Sequence, residues 1–337
     1  MVKVAVLGAG VNGLSCAVKI KEKYPYIDVV LISNDFTPNT ISDGCGGLWY
    51  PYICGDTPQE LLCKWGGETY KFMHKLWLEG GHDITFMPLY ELYRRKVDLP
   101  IEDWASVVFG YRIFGEKQLE YFSDIYSKKY ICGRGFITFI AYSPTILSLL
   151  HKRFKNAGGV IIRSTIGSLN DTKLDDYDII INCLGLGARD VVPDKKVFPV
   201  RGQISRISAP WINEILFDDY HGNYILPNVH NCVLGGTHQE NDYNLEIDDK
   251  DTDIVINGCK DIMPGIKNAI IITHWVGLRP GRDEVRLEPE EKDGKLYIHN
   301  YGHGGSGFTL FWGCASNVLE IFEKHMNGIG KIEKSKL

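Results

Sequence analysis

Gly8, Gly10 and Gly13 follow the apolar run Val4-Ala5-Val6-Leu7 almost as soon as the chain begins, with Ala9, Val11 and Asn12 between them. That spacing suits a dinucleotide pyrophosphate. Gly8 allows a tight turn out of a buried strand, Gly10 lets the backbone approach the anion, and Gly13 lets the next helix lie close to the sheet. The free amides at the helix N-terminus and the positive end of its dipole then meet the phosphates without a lysine. Leu14 to Lys21 has helical spacing and Val29-Val30-Leu31-Ile32 closes a βαβ unit, so the triad has the context it needs. We weigh a bound dinucleotide above a plain strand-to-helix turn. The second strand runs into Ser33-Asn34-Asp35, where either Asp35, one position late, or Asn34 accepts the ribose hydroxyl bonds.

The elements that must position this turn are spread along the chain. Residues 58 to 78 have helical spacing with Trp65, Tyr70, Phe72, Leu76 and Trp77 on apolar faces, and Ser143-Pro144 opens a helix to about Lys155. Val160-Ile161-Ile162-Arg163 and Asp178 to Asn182 read as buried strands of the N-terminal sheet. Val197 to Ser208 and Asn223 to Gly236 read as longer strands of another layer. The fold expected is therefore α/β: a discontinuous Rossmann-like domain from residues 1-50, 143-195 and 279-330, and a mostly antiparallel β domain from 51-142 and 196-278.

Composition narrows the function classes. The 337 residues are 44% hydrophobic and 23% charged, as in a globular chain of about two domains. A net charge of -5 offers no basic field for nucleic acid. The nine cysteines are scattered without a Cys-x-x-Cys pair, which fits reduced, buried thiols and no metal site. No apolar stretch approaches the roughly 18 residues of a membrane span, and the immediate first strand leaves no room for a leader. Ser335-Lys336-Leu337, after the polar Lys331 to Lys334, reads as a peroxisomal address on a flexible tail.

Gly47-Leu48-Trp49-Tyr50-Pro51-Tyr52, Phe198 to Gln203, Ala209-Pro210-Trp211, Gly277 to Arg282 and His299 to Gly305 together resemble the D-amino-acid oxidase and D-aspartate oxidase family, in order and spacing along nearly the whole chain. The resemblance implies FAD as cofactor, a D-amino acid as substrate and molecular oxygen as electron acceptor, with a 2-oxo acid, ammonia and hydrogen peroxide as products. Peroxide chemistry agrees with a peroxisomal matrix enzyme presented to its import receptor. By the same resemblance, Arg279 grips the substrate carboxylate as a bidentate donor, the Tyr224 hydroxyl reaches that carboxylate, and the Gly305 carbonyl receives the ammonium. Arg282 and Arg286 are assigned structural pairs. The amides of Gly302, Gly304, Gly305, Ser306, Gly307 and Phe308, at the start of a last helix running to about Glu323, lie near the flavin ring, and Thr309 contacts its C2 oxygen. Thr40, Ser42, Gly46, Gly47 and Leu48 meet the phosphates or ring, while Ile166, Cys183 and Gly185 border the rest of the cofactor. His303 looks like a base but is assigned a structural role, since hydride transfer to the flavin calls for positioning more than for a base.

The substrate side chain is the harder question. An acidic one needs a second cation, a neutral one an apolar wall. His238 stands where the D-aspartate branch carries a cation, and the segments 184-189 and 235-239 lean the same way, with Tyr50, Tyr52 and His221 able to add hydroxyl or imidazole contacts. Phe217 replaces another arginine of that branch, and Asp218 and Asp219 in the short lid repel an acid if they face inward. The expectation is D-aspartate, with D-glutamate next, ahead of neutral D-amino acids. An NAD-dependent dehydrogenase and a non-catalytic binding protein are the other classes compatible with the first turn alone.

Overall fold

The computed structural model describes residues 2–335, with side chains to residue 328. The chain forms, in order, β1 (Lys3–Leu7), α1 (Val11–Lys23), β2 (Asp28–Ser33), α2 (Ile41–Gly44), α3 (Gln59–Glu79), β3 (Ile84–Tyr93), β4 (Phe109–Ile113) and α4 (Glu116–Tyr126). It continues through β5 (Cys132–Ala141), α5 (Ser143–Asn156), β6 (Val160–Arg163), β7 (Ile179–Asn182), α6 (Ala188–Val191), β8 (Phe198–Ser208), β9 (Ile215–Asp218) and β10 (Asn223–Pro227). The last elements are β11 (Cys232–Gly235), β12 (Gln239–Glu240), α7 (Asp249–Ile262), β13 (Ile270–Gly281), β14 (Arg286–Lys292), β15 (Lys295–Tyr301) and α8 (Gly307–Ser335).

The first sheet has the order β14-β15-β7-β1-β2-β6, parallel except for β14, which returns antiparallel on β15. β1 lies inside it and is apolar on both faces, as a parallel strand covered on both sides must be. Val4 and Val6 pack toward α1, α5 and α8 through Leu14, Leu147 and Phe311, whereas Ala5 and Leu7 meet Ile166, Leu174 and Val191 on the opposite face. Its strands come from separated parts of the chain, which makes the Rossmann-like layer discontinuous, as the sequence implied.

The second sheet runs β4-β5-β3-β9-β10-β11-β8, with β12 and β13 both paired to β8; within this sheet, among its described strands, only the β3–β9 pairing is parallel. β8 and β13 are paired along almost their whole lengths, Phe198 opposite Gly281 and Ser208 opposite Ile270. α4 and α7 cover the outer face through Phe122, Val255 and Cys259. Trp49, Phe136, Phe139 and Ile204 belong to the same continuous core as Val4 and Phe311, so the two layers share an apolar interior. α3 lies in the 51-142 block but packs along α8: the Trp65 indole donates to Asn317 (3.0 Å), and a Cβ on Gly313 would lie 2.2 Å from the Trp65 carbonyl oxygen.

Two elements differ from expectation. Asn223 to Gly236 is a hairpin of β10 and β11, because the Asn228 side-chain oxygen accepts from the amides of His230 and Asn231 and turns the chain between them. The last helix does not stop near Glu323 but continues to Ser335. Lys336 and Leu337 of the tripeptide lie outside the described residues.

Candidate active site

One cavity of 1090 Å³ runs between the two layers. At one end are the strand-to-helix turn Gly8 to Asn12, Asn34 and Asp35 after β2, the stretch Thr40 to Leu48, Ile166, Cys183 and Gly185. Gly304, Gly305, Gly307 and Phe308, at the start of α8, line it from the other side. Gly13 is not on the wall. A Cβ there would fall 1.8 Å from the Gly8 carbonyl oxygen, so this glycine sets how closely α1 follows β1. Gly302 is likewise set back, against the Arg282 side chain. The Val11 amide donates to Ser42 Oγ (3.1 Å), while the Asn12 and Gly13 amides have no protein acceptor among the described residues, and neither do those of Gly307 and Phe308. Two helix N-termini thus bring open donors to one cavity.

At the far end the cavity is built from side chains. Arg279 projects from β13, its guanidinium bonded only to the carbonyls of Thr237 (3.2 Å) and Arg201 (3.5 Å), with no carboxylate partner among the described residues. Tyr224 on β10 lies beside it; burial pushes its phenol pKa up, against the pull of the neighbouring Arg279, so it stays a neutral donor. Glycines make the room: a Cβ on Gly202 would lie 2.3 Å from the Arg279 guanidinium, and one on Gly235 would lie 2.1 Å from the Tyr224 ring. Phe217 packs between Tyr50 and Tyr224, its ring tilted to each, with ring centres 5.4 and 5.5 Å away. At the mouth the Tyr52 hydroxyl meets His238 Nδ1 (3.1 Å), whose Nε2 lies 3.4 Å from Glu240, and His221 lies 3.9 Å from Asp261.

A family model described as FAD dependent oxidoreductase matches residues 3–321. This chain belongs to that family. The FAD-dependent oxidoreductase is 37% identical to a D-amino acid oxidase of Dugesia ryukyuensis over 330 residues, 94% of this chain and 96% of that one. It is 34% identical to a human D-aspartate oxidase, over 97% and 96% of the two chains. A glycine oxidase of Bacillus cereus shares its fold, with a TM-score of 0.79, 16% identity and 96% of each chain covered. The relatives bear both substrate names, so the family is that of D-amino acid and D-aspartate oxidases and its cofactor is FAD.

The residues of this FAD-dependent oxidoreductase fit that cofactor. Open amides at the two helix N-termini suit the anionic pyrophosphate and the electron-rich edge of the ring, and the glycine turns leave the backbone uncovered. Several side chains are engaged otherwise than the sequence suggests. The Thr40 hydroxyl donates to the Asp43 carboxylate (2.6 Å), which also accepts from the Thr40 amide at the start of α2 (2.9 Å). Thr309 Oγ accepts from the Tyr50 amide and donates to its carbonyl, and Ser306 does the same for Tyr52, so these hydroxyls fasten the Tyr50–Tyr52 segment to the start of α8 instead of facing the ring. The Tyr50 hydroxyl is turned away from the pocket and donates to Glu91. His303 is buried against Asn12 Nδ2 (3.3 Å), and burial lowers its pKa to about 4, leaving a neutral ring. Arg282 pairs with Asp194, and Arg286 with Glu288 and Glu290. Asp218 and Asp219 do not point inward: Arg94 and Tyr130 hold the first, Arg95 the second. Trp275 was missed as a wall residue. Its ring is seated against two glycines distant in sequence, since a Cβ on either Gly44 or Gly277 would fall 2.0 Å from it.

Proposed function

We propose that this enzyme deaminates D-amino acids oxidatively and that acidic ones, D-aspartate first and D-glutamate next, are its preferred substrates. What carries the reading is Arg279, a cation in the cavity with no carboxylate partner among the described residues. Its planar pair of donors matches a carboxylate, and the neutral Tyr224 hydroxyl beside it adds a third donor. The Gly305 carbonyl takes the substrate ammonium. With carboxylate and ammonium both held, the α-carbon is fixed in one orientation, so that only one enantiomer can direct its hydrogen toward the cofactor; the D choice rests on the likeness to D-amino acid and D-aspartate oxidases. FAD, when bound, would supply the hydride acceptor, with molecular oxygen as the final acceptor and hydrogen peroxide as the product. No residue need remove the α-hydrogen as a proton, which agrees with a buried, uncharged His303. The imino acid then hydrolyses in water to the 2-oxo acid and ammonia.

The acidic preference is supported by the Tyr52–His238 pair at the mouth, a hydroxyl and an imidazole able to meet a side-chain carboxylate. It is supported too by the lid acids, whose charges are matched outside the pocket. The Phe217–Tyr50 wall favours a second reading, neutral D-amino acids. Initial rates of peroxide formation with D-aspartate, D-alanine and L-aspartate separate the two. Faster turnover of D-aspartate, reduced by His238→Phe, supports the acidic reading; preference for D-alanine places the enzyme with neutral substrates; inactivity toward all three removes the oxidase assignment. The peroxisomal destination is proposed on Ser335-Lys336-Leu337 alone, and loss of punctate localisation from a tagged protein lacking the tripeptide tests it.

A further inference from the structure

On its inner side the substrate pocket is backed by buried charge. Arg134, Glu91 and Phe217 are direct neighbours across β5, β3 and β9, so the sheet register brings an ion pair level with the aromatic wall. Glu91 is 5% exposed and Arg134 6%. Glu91 accepts from the Tyr50 hydroxyl and pairs with Arg134, which also pairs with Glu102. Two carboxylates therefore share one guanidinium, leaving one negative charge in excess behind the wall. The Tyr50 phenol registers this: its pKa is pushed well up, first by burial and then by Glu91, against the pull of Arg134. Glu91 is the buried partner of Arg134, whereas Glu102, the second carboxylate, has a side chain 29% exposed, so the excess negative charge is divided between a buried group and one that solvent screens.

We propose that Glu91 is a positioning residue that sets substrate specificity: by holding the Tyr50 hydroxyl, and by its own excess charge, it closes the inner wall to acidic side chains and leaves them only the Tyr52–His238 mouth. This rests on the oxidase reading above. With its hydroxyl committed, Tyr50 offers the cavity a ring and no donor, tilted against Phe217 at 5.4 Å and stacked on Phe136 at 6.2 Å. A carboxylate entering on that side meets no donor and a like charge.

The test compares kcat/KM for D-aspartate and D-alanine in the FAD-loaded wild type, Glu91→Gln, Glu91→Leu and Glu91→Leu/Tyr50→Phe, with melting temperatures alongside. Glu91→Gln keeps an acceptor for Tyr50 and removes the charge; Glu91→Leu also removes the acceptor, leaving the hydroxyl oxygen only the Arg134 guanidinium that donates to it (3.3 Å) and its proton free to donate toward the cavity. The D-aspartate to D-alanine ratio is expected to rise several-fold in the first and about 10-fold in the second, mainly through KM, as expected for losing one nearby like charge at intermediate dielectric and gaining a donor. Adding Tyr50→Phe should return part of the second rise. A rise that survives Tyr50→Phe undiminished overturns the route through the hydroxyl. Ratios within about twofold of wild type in both single variants, with any change confined to melting temperature, make Glu91 structural and overturn the proposal; should Glu91→Leu fail to fold, the near-isosteric Glu91→Gln decides alone. A wild type inert to every D-amino acid fails the oxidase reading instead, a result distinct from an active enzyme with an unchanged ratio.

Discussion

The two ends of the cavity are made of different material. The cofactor end is largely backbone: turns at Gly8 to Asn12 and Gly304 to Phe308, whose amides stay open because two helices begin there. The substrate end is side chains sent in from β10, β13 and the loop after α2, with room made for them by Gly202, Gly235 and Gly236. Glycine serves opposite purposes at the two ends. In the cradle it lets backbone approach backbone, as where Gly13 meets the Gly8 carbonyl; in the pocket it lets a guanidinium or a phenol ring lie against a strand. A change at the cofactor end should therefore be felt first in flavin content, and one at the substrate end in kinetics with flavin retained.

The largest expected effect is at Arg279. Arg279→Leu should lower kcat/KM by about 10³-fold, the scale of truncating one partner of a buried charged pair, while the flavin absorbance per protein stays at the wild-type value. Flavin lost together with activity would break the division between the two ends. Gly13→Ala is the mirror experiment. The added Cβ would lie 1.8 Å from the Gly8 oxygen, so α1 must shift, at a cost of about 3 kcal/mol or more. The protein should purify with little flavin, and equilibrium titration of FAD should show the weakened affinity.

A smaller effect tests the polar link between the ends, where Asn12 of the first turn meets His303 of the second. Burial lowers the His303 pKa from the usual 6.5 to about 4. Between those values the unfolded chain binds a proton that the folded chain does not, so the fold weakens as pH falls through that window, by about 2 kcal/mol from this residue at pH 5 relative to pH 8. Denaturant titrations at the two pH values should show this loss, and His303→Asn should remove about that much of the difference. An unchanged pH dependence in the variant would mean that the imidazole is not held neutral.

The same contrast explains what could be read from the residues beforehand. The Gly8, Gly10, Gly13 spacing is legible because backbone geometry is a local property, and the α5 and β6 boundaries follow from Pro144 and a β-branched run in the same way. The turn splitting β10 from β11 rests on one Asn228 side chain inside an apolar stretch, too slight a signal against its surroundings. Tyr50 lies on the cavity as its place in the motif suggests, yet its hydroxyl is claimed by a residue 41 positions away across the sheet. Asp218 and Asp219 look repulsive in sequence because Arg94 and Arg95, which neutralise them, come from another strand end. What the sequence hides is which partner a polar side chain finds after the sheets assemble.

The smallest effect sharpens the substrate end itself. Tyr224→Phe removes one hydroxyl and leaves the ring seated on Gly235 and Gly236, so neither the wall nor Arg279 should move. The lost donor is one of three proposed for the substrate carboxylate, and a hydrogen bond to a charged group contributes about 1.5 kcal/mol, equivalent to roughly a 10-fold rise in KM with kcat little changed. Gly235→Ala reaches the same residue by another route, because the new Cβ would collide with the ring and push the phenol out of place. If the pocket is made by side chains that glycines admit, Gly235→Ala should lower kcat/KM more than Tyr224→Phe does, since it disturbs both the hydroxyl and the ring that flanks Phe217. A milder Gly235→Ala would show that the ring can be displaced without consequence and that the hydroxyl alone matters; steady-state kinetics of the two variants with one D-amino acid are sufficient to tell.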